Sequence, residues 1–143
     1  MALAELLYQA LGGALPLRLE VYDGSAAGPE DAKVRMVVHN QRGLSRFLSR
    51  PGELGIARAY ISGDVDIDGD LFAGLEQATD IDLSLRSIDP VAIARLLKET
   101  GVGVLRSPPP PPEEVQLNGG LHTRSRDRAA ISHHYDVSNE FYR

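Results

Sequence analysis

The chain has 143 residues, of which 43% are hydrophobic, and it carries a formal net charge of −5. This composition is typical of one small globular domain with an appendage, and the negative charge argues against general nucleic-acid binding, which depends on Lys and Arg. The chain contains no cysteine, which excludes disulfides, thiolate metal ligands and cysteine nucleophiles. The N-terminus lacks the basic region of a signal peptide, and no apolar run approaches the roughly 20 residues of a membrane-spanning helix. We therefore expect a cytoplasmic protein.

The first forty residues predict one helix followed by two strands. Leucines at helical spacing predict a helix over residues 2–12, and alternating apolar residues predict strands over 17–22 and 33–38. We predict that these two strands pair antiparallel, because the connection between them is too short for a crossover helix.

The following residues predict three helices, a separate helical turn and a further strand. Asn40 is a suitable N-cap for a helix that Pro51 would end, and residues 54–60 predict a further helical turn. Residues 63–69 alternate between apolar side chains and aspartates, which indicates a third strand. Asp70 and Asp89 are then predicted to cap two more helices. The fold class that follows is α+β, with a small antiparallel sheet packed with helices.

Five consecutive prolines, Pro108 to Pro112, form the clearest boundary in the chain. Such a run predicts a stiff polyproline II linker, with a docking peptide for a proline-recognising domain as the alternative. The predicted organisation is a domain over residues 1–106, a linker over 107–122 and the start of a second domain over 123–143. Because the chain ends within a predicted helix, we interpret it as a piece of a longer protein.

Three arginines at a spacing of four residues, Arg42, Arg46 and Arg50, predict a cationic ridge on one helix. Beside an apolar stripe that includes Leu44 and Phe47, such a ridge suits phospholipid head groups, because guanidinium groups bind phosphate with two hydrogen bonds. The alternative is a solvated helix face whose arginines pair with nearby acids.

The segment Asp64-Val-Asp-Ile-Asp-Gly69 overlays the first half of an EF-hand calcium loop. The closing ligand is missing, because the twelfth position is Leu75. On a strand, Asp64, Asp66 and Asp68 would instead share one outward face, which discourages association through the strand edge. We therefore expect no metal site.

Two segments resemble signatures of the cyclopropane-fatty-acid-synthase family, especially in its actinobacterial members. Residues 134–142, HYDVSNEFY, resemble the signature that opens the methyltransferase domain, and residues 51–71, PGELGIARAYISGDVDIDGDL, resemble a segment of the N-terminal domain. Nearly the whole chain is similar to the N-terminal part of such a protein, and the proline run is its variable connection.

The resemblance implies a two-domain enzyme. The N-terminal domain would have a sterol-carrier-like lipid-binding fold, and the C-terminal domain would be a Rossmann-like methyltransferase. The implied reaction transfers a methyl group from S-adenosylmethionine to the cis double bond of a phospholipid acyl chain, and a bound bicarbonate accepts the proton of the resulting carbocation. The product would be a cyclopropane or a methylene-bearing chain.

The resemblance carries few site residues into this chain. His134, Tyr135 and Asp136 would belong to a helix across the mouth of the active site, where Tyr135 would lie near the cofactor. The methyl-donor loop and the bicarbonate ligands have no counterpart within these residues. We therefore expect no catalytic residue here, and neither catalysis nor S-adenosylmethionine binding by this chain alone.

The predicted substrate-binding residues come from the helix with the arginine ridge and from the next one. Arg42, Arg46 and Arg50 would orient lipid phosphates, and an acyl groove would be bordered by Leu44, Phe47, Ile56 and Tyr60. The expected partners are phospholipid acyl chains, the inner membrane surface in peripheral contact and the protein's own methyltransferase domain, with a homodimer left open. The alternatives are a free-standing lipid carrier and a dimerisation module without catalysis.

Overall fold

The computed structural model describes residues 2–70, 72–73, 76, 89–115 and 123–135, without the side chains of 133–135. The chain divides into two compact units, Met1–Pro109 and Pro110–Arg143. The first unit contains, in chain order, α1 (Leu3–Ala10), β1 (Arg18–Val21), β2 (Ala26–Ala27), β3 (Val34–Val38), α2 (Gln41–Ser49), α3 (Glu53–Ile61), β4 (Val65–Gly69), α4 (Pro90–Thr100) and a 3-10 turn (Val102–Leu105). The second unit contains α5 (Arg124–Tyr135).

The predicted helix starts are confirmed by their cap geometry. The Asn40 side chain accepts a hydrogen bond from the Gly43 N–H at 3.1 Å, and the Asp89 side chain accepts one from the Val91 N–H at 2.8 Å. Each bond satisfies an N–H group that has no partner within its own helix. Asp70 likewise accepts from the backbone N–H three residues later, at 3.1 Å, although most of the helix predicted there lies outside the described residues.

The four strands form one mixed sheet in the order β2-β1-β3-β4. The α+β class is confirmed, but the predicted antiparallel pairing of the first two long strands is wrong, because β1 and β3 are parallel. The connection contains β2, which the sequence analysis did not predict and which runs antiparallel along the free edge of β1. This short return strand brings the chain back to the starting end of β1, so β3 begins there without a crossover helix. β3 and β4 are antiparallel.

The helices cover one face of the sheet. Leu19 and Val21 of β1 and Val34 and Val38 of β3 are buried, as their alternation predicts. The core of the first unit is completed by Leu6, Leu7, Leu44, Ala59, Val65, Leu96 and Val104. The opposite face is polar and includes an ion pair between the Arg35 Nε and the Glu20 carboxylate at 3.3 Å.

The turn between β1 and β2 also caps α1 from a distance. Asp23 accepts a hydrogen bond from the Leu3 N–H at 3.2 Å, and the Ser25 hydroxyl accepts one from the Ala4 N–H at 2.9 Å. Ala2, at the N-cap position, provides no side-chain hydrogen bond. The hairpin therefore satisfies the first N–H groups of α1 and fixes the helix against the sheet.

Candidate functional site

The most distinctive polar feature of the first unit is a buried carboxylate, Asp64, whose side chain is 2% exposed. The Arg46 Nε donates a hydrogen bond to its Oδ2 at 2.9 Å, and the Asn40 Nδ2 donates to its Oδ1 at 2.9 Å. The Arg42 Nη2 lies 3.3 Å from the same Oδ1. A buried charge of this kind is tolerated only when it is paired and hydrogen-bonded, as Asp64 is here.

Arg46 extends this network to the end of the unit. Its side chain is 7% exposed, and its Nη1 donates a hydrogen bond to the Pro109 carbonyl oxygen at 2.8 Å. The guanidinium group therefore contacts a carboxylate on one side and the beginning of the proline run on the other. We call Asn40, Arg42, Arg46, Asp64 and Pro109 the Asp64 network.

The electrostatics of the network keep Asp64 ionised. Burial by itself raises the pKa of this carboxyl, but hydrogen bonds from Arg46 and Asn40, together with the positive charges of Arg42 and Arg46, lower it by more. The net result is a pKa below the ordinary value of 3.8. Asp64 is consequently a fixed negative charge at neutral pH and is not a candidate general acid.

Two glycines allow the backbones around the network to approach closely. A Cβ atom on Gly43 would lie 2.6 Å from the Asp64 carbonyl oxygen, and one on Gly55 would lie 2.0 Å from the Arg50 carbonyl oxygen. Both distances are shorter than any van der Waals contact allows. Gly43 therefore lets α2 lie against the start of β4, and Gly55 lets α3 lie against the end of α2.

The structure separates the three arginines that the sequence predicts as one ridge. The Arg42 side chain is 71% exposed, and Arg50 is exposed at the C-terminal end of α2. Arg46 instead points inward and is committed to Asp64 and Pro109. The prediction of a continuous exposed ridge is therefore wrong, because the residue at its centre has buried partners.

The predicted outward orientation of the three aspartates is also wrong at its first member. Asp66 and Asp68 are exposed. Asp64 is buried, because β4 begins at Val65 and the alternation of inward and outward side chains along the strand does not apply to the residue before it. The backbone of Asp64 is held by the Ala59 carbonyl and the His39 N–H, each at 3.0 Å. Its carboxylate oxygens are occupied by nitrogen donors, which argues against the EF-hand alternative. Among the described residues, no group of three His, Asp or Glu side chains could hold a metal ion.

The second feature of this region is an apolar surface on α3. Leu54, Tyr60 and Ile61 are 48%, 47% and 55% exposed, respectively. Ala57 is exposed between them, and we call these four residues the α3 outer face. The inner side of the helix carries Gly55 and Ala59, which are buried. α3 therefore carries apolar side chains on its exposed side as well as on its buried side, with Glu53 as an exposed acidic residue in its first turn.

The residues predicted to border an acyl groove differ widely in exposure. Leu44 is fully buried in the core, Phe47 and Ile56 are half-buried, and Tyr60 lies on the α3 outer face. Phe47 packs against the core cluster. The assignment of these residues to a lipid groove stays a prediction.

The motif at the end of the chain falls mainly outside the described residues. His134 and Tyr135 belong to α5 by their backbone. Their side chains, and all of Asp136 to Arg143, are not described. The predicted place of Tyr135 near a cofactor therefore also stays a prediction.

No helix in the described part of the chain combines the length and the apolar character that crossing a bilayer requires.

The sequence is similar to two curated proteins along nearly its whole length. It is 39% identical over 141 residues to a probable fatty acid methyltransferase of Mycobacterium tuberculosis, with 91% of this chain and 33% of that protein covered. It is 30% identical over 130 residues to a probable fatty acid methyltransferase of Pseudomonas putida, with 90% of this chain and 27% of that protein covered. The chain is a homologue of fatty acid methyltransferases. The two motifs predicted a resemblance to a family of lipid methyltransferases, and these similarities confirm a relationship to fatty acid methyltransferases.

The chain spans about a third of the length of these fatty acid methyltransferases. No family model matches it, and no solved structure matches it. The comparisons thus support a relationship to fatty acid methyltransferases and leave the sterol-carrier-like description of the fold as a prediction.

The segment that resembles the N-terminal signature contributes Asp64 to the Asp64 network and supports its surroundings. Within residues 51–71, Gly55 permits the contact of α3 with α2, and the buried Ala59 holds the backbone of Asp64. Gly69 has a φ of 105°, and a Cβ atom there would lie 2.3 Å from the Lys33 carbonyl oxygen. Gly55, Ala59 and Gly69 thus serve the packing of the backbone within the first unit. The sequence analysis missed the Asp64 network, because Asp64 continues the alternation of Asp66 and Asp68 in the sequence.

Proposed function

We propose that this chain is the lipid-handling part of an S-adenosylmethionine-dependent methyltransferase that modifies unsaturated acyl chains of phospholipids. The observation that carries the proposal is the similarity of about nine-tenths of the chain to two proteins named as fatty acid methyltransferases. The modification would yield a cyclopropane or a methylene group, and the enzyme would work at the inner face of the membrane. In this view the domain limits are those predicted, 1–106, 107–122 and 123–143.

The methyl donor would be bound by a part of the whole protein that is not described here. Dinucleotide and S-adenosylmethionine sites of Rossmann-like domains need a glycine-rich turn between a strand and a helix. No strand among the described residues is followed by a G-x-G-x-x-G sequence. We therefore propose that this chain alone neither binds the donor nor catalyses the reaction. Measurable S-adenosylmethionine binding by this chain in calorimetry would contradict that.

The α3 outer face supports contact with a lipid surface. A soluble protein that exposes several neighbouring apolar side chains on one helix has a use for them, and insertion into the boundary between head groups and acyl chains is one such use. Arg50 is exposed only three residues before α3 begins. The Arg50 guanidinium would bind a lipid phosphate while Leu54, four residues later, enters the apolar layer.

We propose that fewer arginines bind lipid head groups than the sequence predicts. Arg46 is occupied by Asp64 and Pro109, so of the three predicted arginines only Arg42 and Arg50 present exposed guanidinium groups. Arg42 is near a fixed negative charge, since its Nη2 lies 3.3 Å from Asp64. We therefore assign phosphate binding to these two exposed residues and a structural task to Arg46. The half-buried Phe47 and Ile56 would border the acyl chain.

Vesicle co-sedimentation tests the lipid contact. The double variant Leu54→Asp with Ile61→Asp should bind vesicles containing phosphatidylglycerol about tenfold more weakly than the wild type, because burial of two aliphatic side chains is lost. Val91→Asp is the matched control, because Val91 is an exposed aliphatic residue of α4. Arg42→Glu with Arg50→Glu should weaken binding to the same vesicles, and added salt should reduce this difference. Wild-type binding by both double variants would contradict the proposal.

A dimerisation module is the second candidate function, and the same apolar face favours it. Two copies could cover their α3 outer faces against each other and leave no apolar surface exposed. Sedimentation velocity over a range of concentrations, without lipid, separates the two functions. The lipid proposal expects a monomer, whereas a dimer that the Leu54→Asp, Ile61→Asp variant abolishes would favour the module.

A further inference from the structure

Arg46 connects two parts of the first unit that are distant in the sequence. It lies 18 residues from Asp64 and 63 residues from Pro109. Its Nε and Nη1 atoms make the two contacts separately, at 2.9 Å and 2.8 Å. A lysine ammonium is a single point and does not reproduce this forked geometry.

The Pro111 side chain is fully buried, but hydrogen bonding offers few ways of holding the start of the proline run. Proline has no backbone N–H, so consecutive prolines donate no backbone hydrogen bond to a strand or helix, and their carbonyl oxygens are their only polar groups. The Pro109 carbonyl receives a charged donor, which makes a stronger hydrogen bond than a neutral one. Ser107, two residues earlier, is exposed. The hydrogen bond from Arg46 to the Pro109 carbonyl thus holds the second proline of the run against α2.

We propose that Arg46 is a positioning residue that latches the start of the proline run to the first unit. Asp64 orients the guanidinium group by accepting from its Nε, and Asn40 in turn holds Asp64. Because a polyproline segment is semi-rigid, anchoring Pro109 restrains the preceding residues, Ser107 and Pro108, against the first unit. Without the latch, the segment from Ser107 to Pro109 loses its described hydrogen bond to α2 and moves more freely. The inference does not rest on the proposed function, since it concerns only contacts within the first unit.

Distance measurements between spin labels test the latch on the full chain. The absence of cysteine allows labels to be placed at two introduced cysteines, Ala57→Cys and Ser107→Cys, both at exposed positions. Double electron–electron resonance then gives the distribution of distances between α3 and the beginning of the proline run. The wild-type background should give a single narrow distribution.

Arg46→Lys is the decisive variant. It keeps a positive charge beside Asp64, so we expect the fold to be retained. Its three N–H donors lie on one nitrogen and do not reproduce the separate positions of Nε and Nη1, so we expect the hydrogen bond to the Pro109 carbonyl to be lost. The width of the distance distribution should roughly double, as expected for a semi-rigid segment released at its base. Arg42→Gln is the matched control, because it removes the other guanidinium beside Asp64 without touching Pro109. This control should keep the narrow distribution.

Circular dichroism and a cooperative thermal transition establish that each variant is folded at the temperature of measurement. A broad distribution for Arg46→Lys with a narrow one for Arg42→Gln supports the latch. A distribution for folded Arg46→Lys as narrow as that of the wild type would overturn it. So would a broad distribution in the wild type, or equal broadening in both variants, since the effect would then not depend on the Pro109 contact.

Discussion

α2 and α3 are consecutive nine-residue helices that reverse the usual relation between side-chain chemistry and burial. α2 carries three polar side chains in its first turn and a half and still sends a charged residue, Arg46, into the interior. α3 is largely apolar and still leaves Leu54 and Ile61 exposed. The comparison shows that the partners of a helix, and not its own composition, decide which of its faces is buried.

The reasons differ for the two helices. Arg46 is buried because a carboxylate and a carbonyl oxygen compensate for its loss of water. The α3 outer face stays exposed because the helix packs against the rest of the unit through its opposite side, where Gly55 and Ala59 are buried. Substitutions in both helices and at Asp64 test this contrast.

Arg46→Ala should destabilise the first unit by about 3–5 kcal/mol, because it leaves the Asp64 charge buried without its main partner. Arg42→Ala is the matched control and should cost at most about 1 kcal/mol, because Arg42 is largely exposed. Urea unfolding followed by circular dichroism measures both changes. Equal costs for the two variants would show that Arg46 has no special place in α2.

Gly55→Ala should destabilise by about 1–3 kcal/mol, because its Cβ atom would overlap the Arg50 carbonyl oxygen and push α3 away from α2. Gly103→Ala provides the control, since a Cβ atom there meets no atom within 4 Å. The control should stay within about 0.5 kcal/mol of the wild type. The close contact of the helices would be disproved by a Gly55→Ala variant as stable as the control.

The advantage of the wild type over Asp64→Asn should shrink in acid. The pKa of Asp64 is lower in the folded than in the unfolded chain, so its stabilising contribution is complete above the ordinary pKa of 3.8 and is lost as the pH falls through the folded value. The slope is at most about 1.4 kcal/mol per pH unit for one proton. Urea unfolding at several pH values between neutral and strongly acidic measures it.

Asp23 also has a lowered pKa. Because Asp23 is present in both the wild type and Asp64→Asn, its effect cancels in the difference between their free energies of unfolding. An advantage of the wild type that persists unchanged to low pH would contradict the ion-pair assignment.

Leu54→Lys and Ile61→Lys should each change the free energy of unfolding by less than about 0.5 kcal/mol, because both side chains are about half exposed and face away from the core. Thermal and urea unfolding check this. A loss of several kcal/mol at either position would mean that the α3 outer face is packed within the unit. It would then be unavailable to lipid or to a second copy.

Local structure was largely predictable from residue patterns. The alternation in β1 and β3, the Asn40 cap of α2 and the Asp89-Pro90 start of α4 are all confirmed close to their predicted limits. These features depend on a few neighbouring residues, whose spacing the sequence displays directly. β2 was missed because two alanines give no periodic signal.

The candidate site was less predictable. The arginine spacing correctly placed Arg42 and Arg46 on one helix, with Arg50 directly after its end, but Arg46 was assigned to the surface. The pattern could not reveal that Asp64 and Pro109 would meet it, since each partner comes from a separate element. The exposure of the α3 outer face could not be predicted either, because the spacing of apolar residues does not show which of two apolar helix faces is covered by the rest of the protein.

The order of residues thus specified the helices, most strands, their caps and the relationship to fatty acid methyltransferases. The assembled first unit specified the parallel pairing of β1 and β3, the interior position of Arg46 and the exposure of the α3 outer face. The physical reason is that periodicity and capping are short-range properties of the backbone and its nearest side chains. Burial, in contrast, is a free-energy balance among groups far apart in the chain, and it is defined only once those groups are in contact.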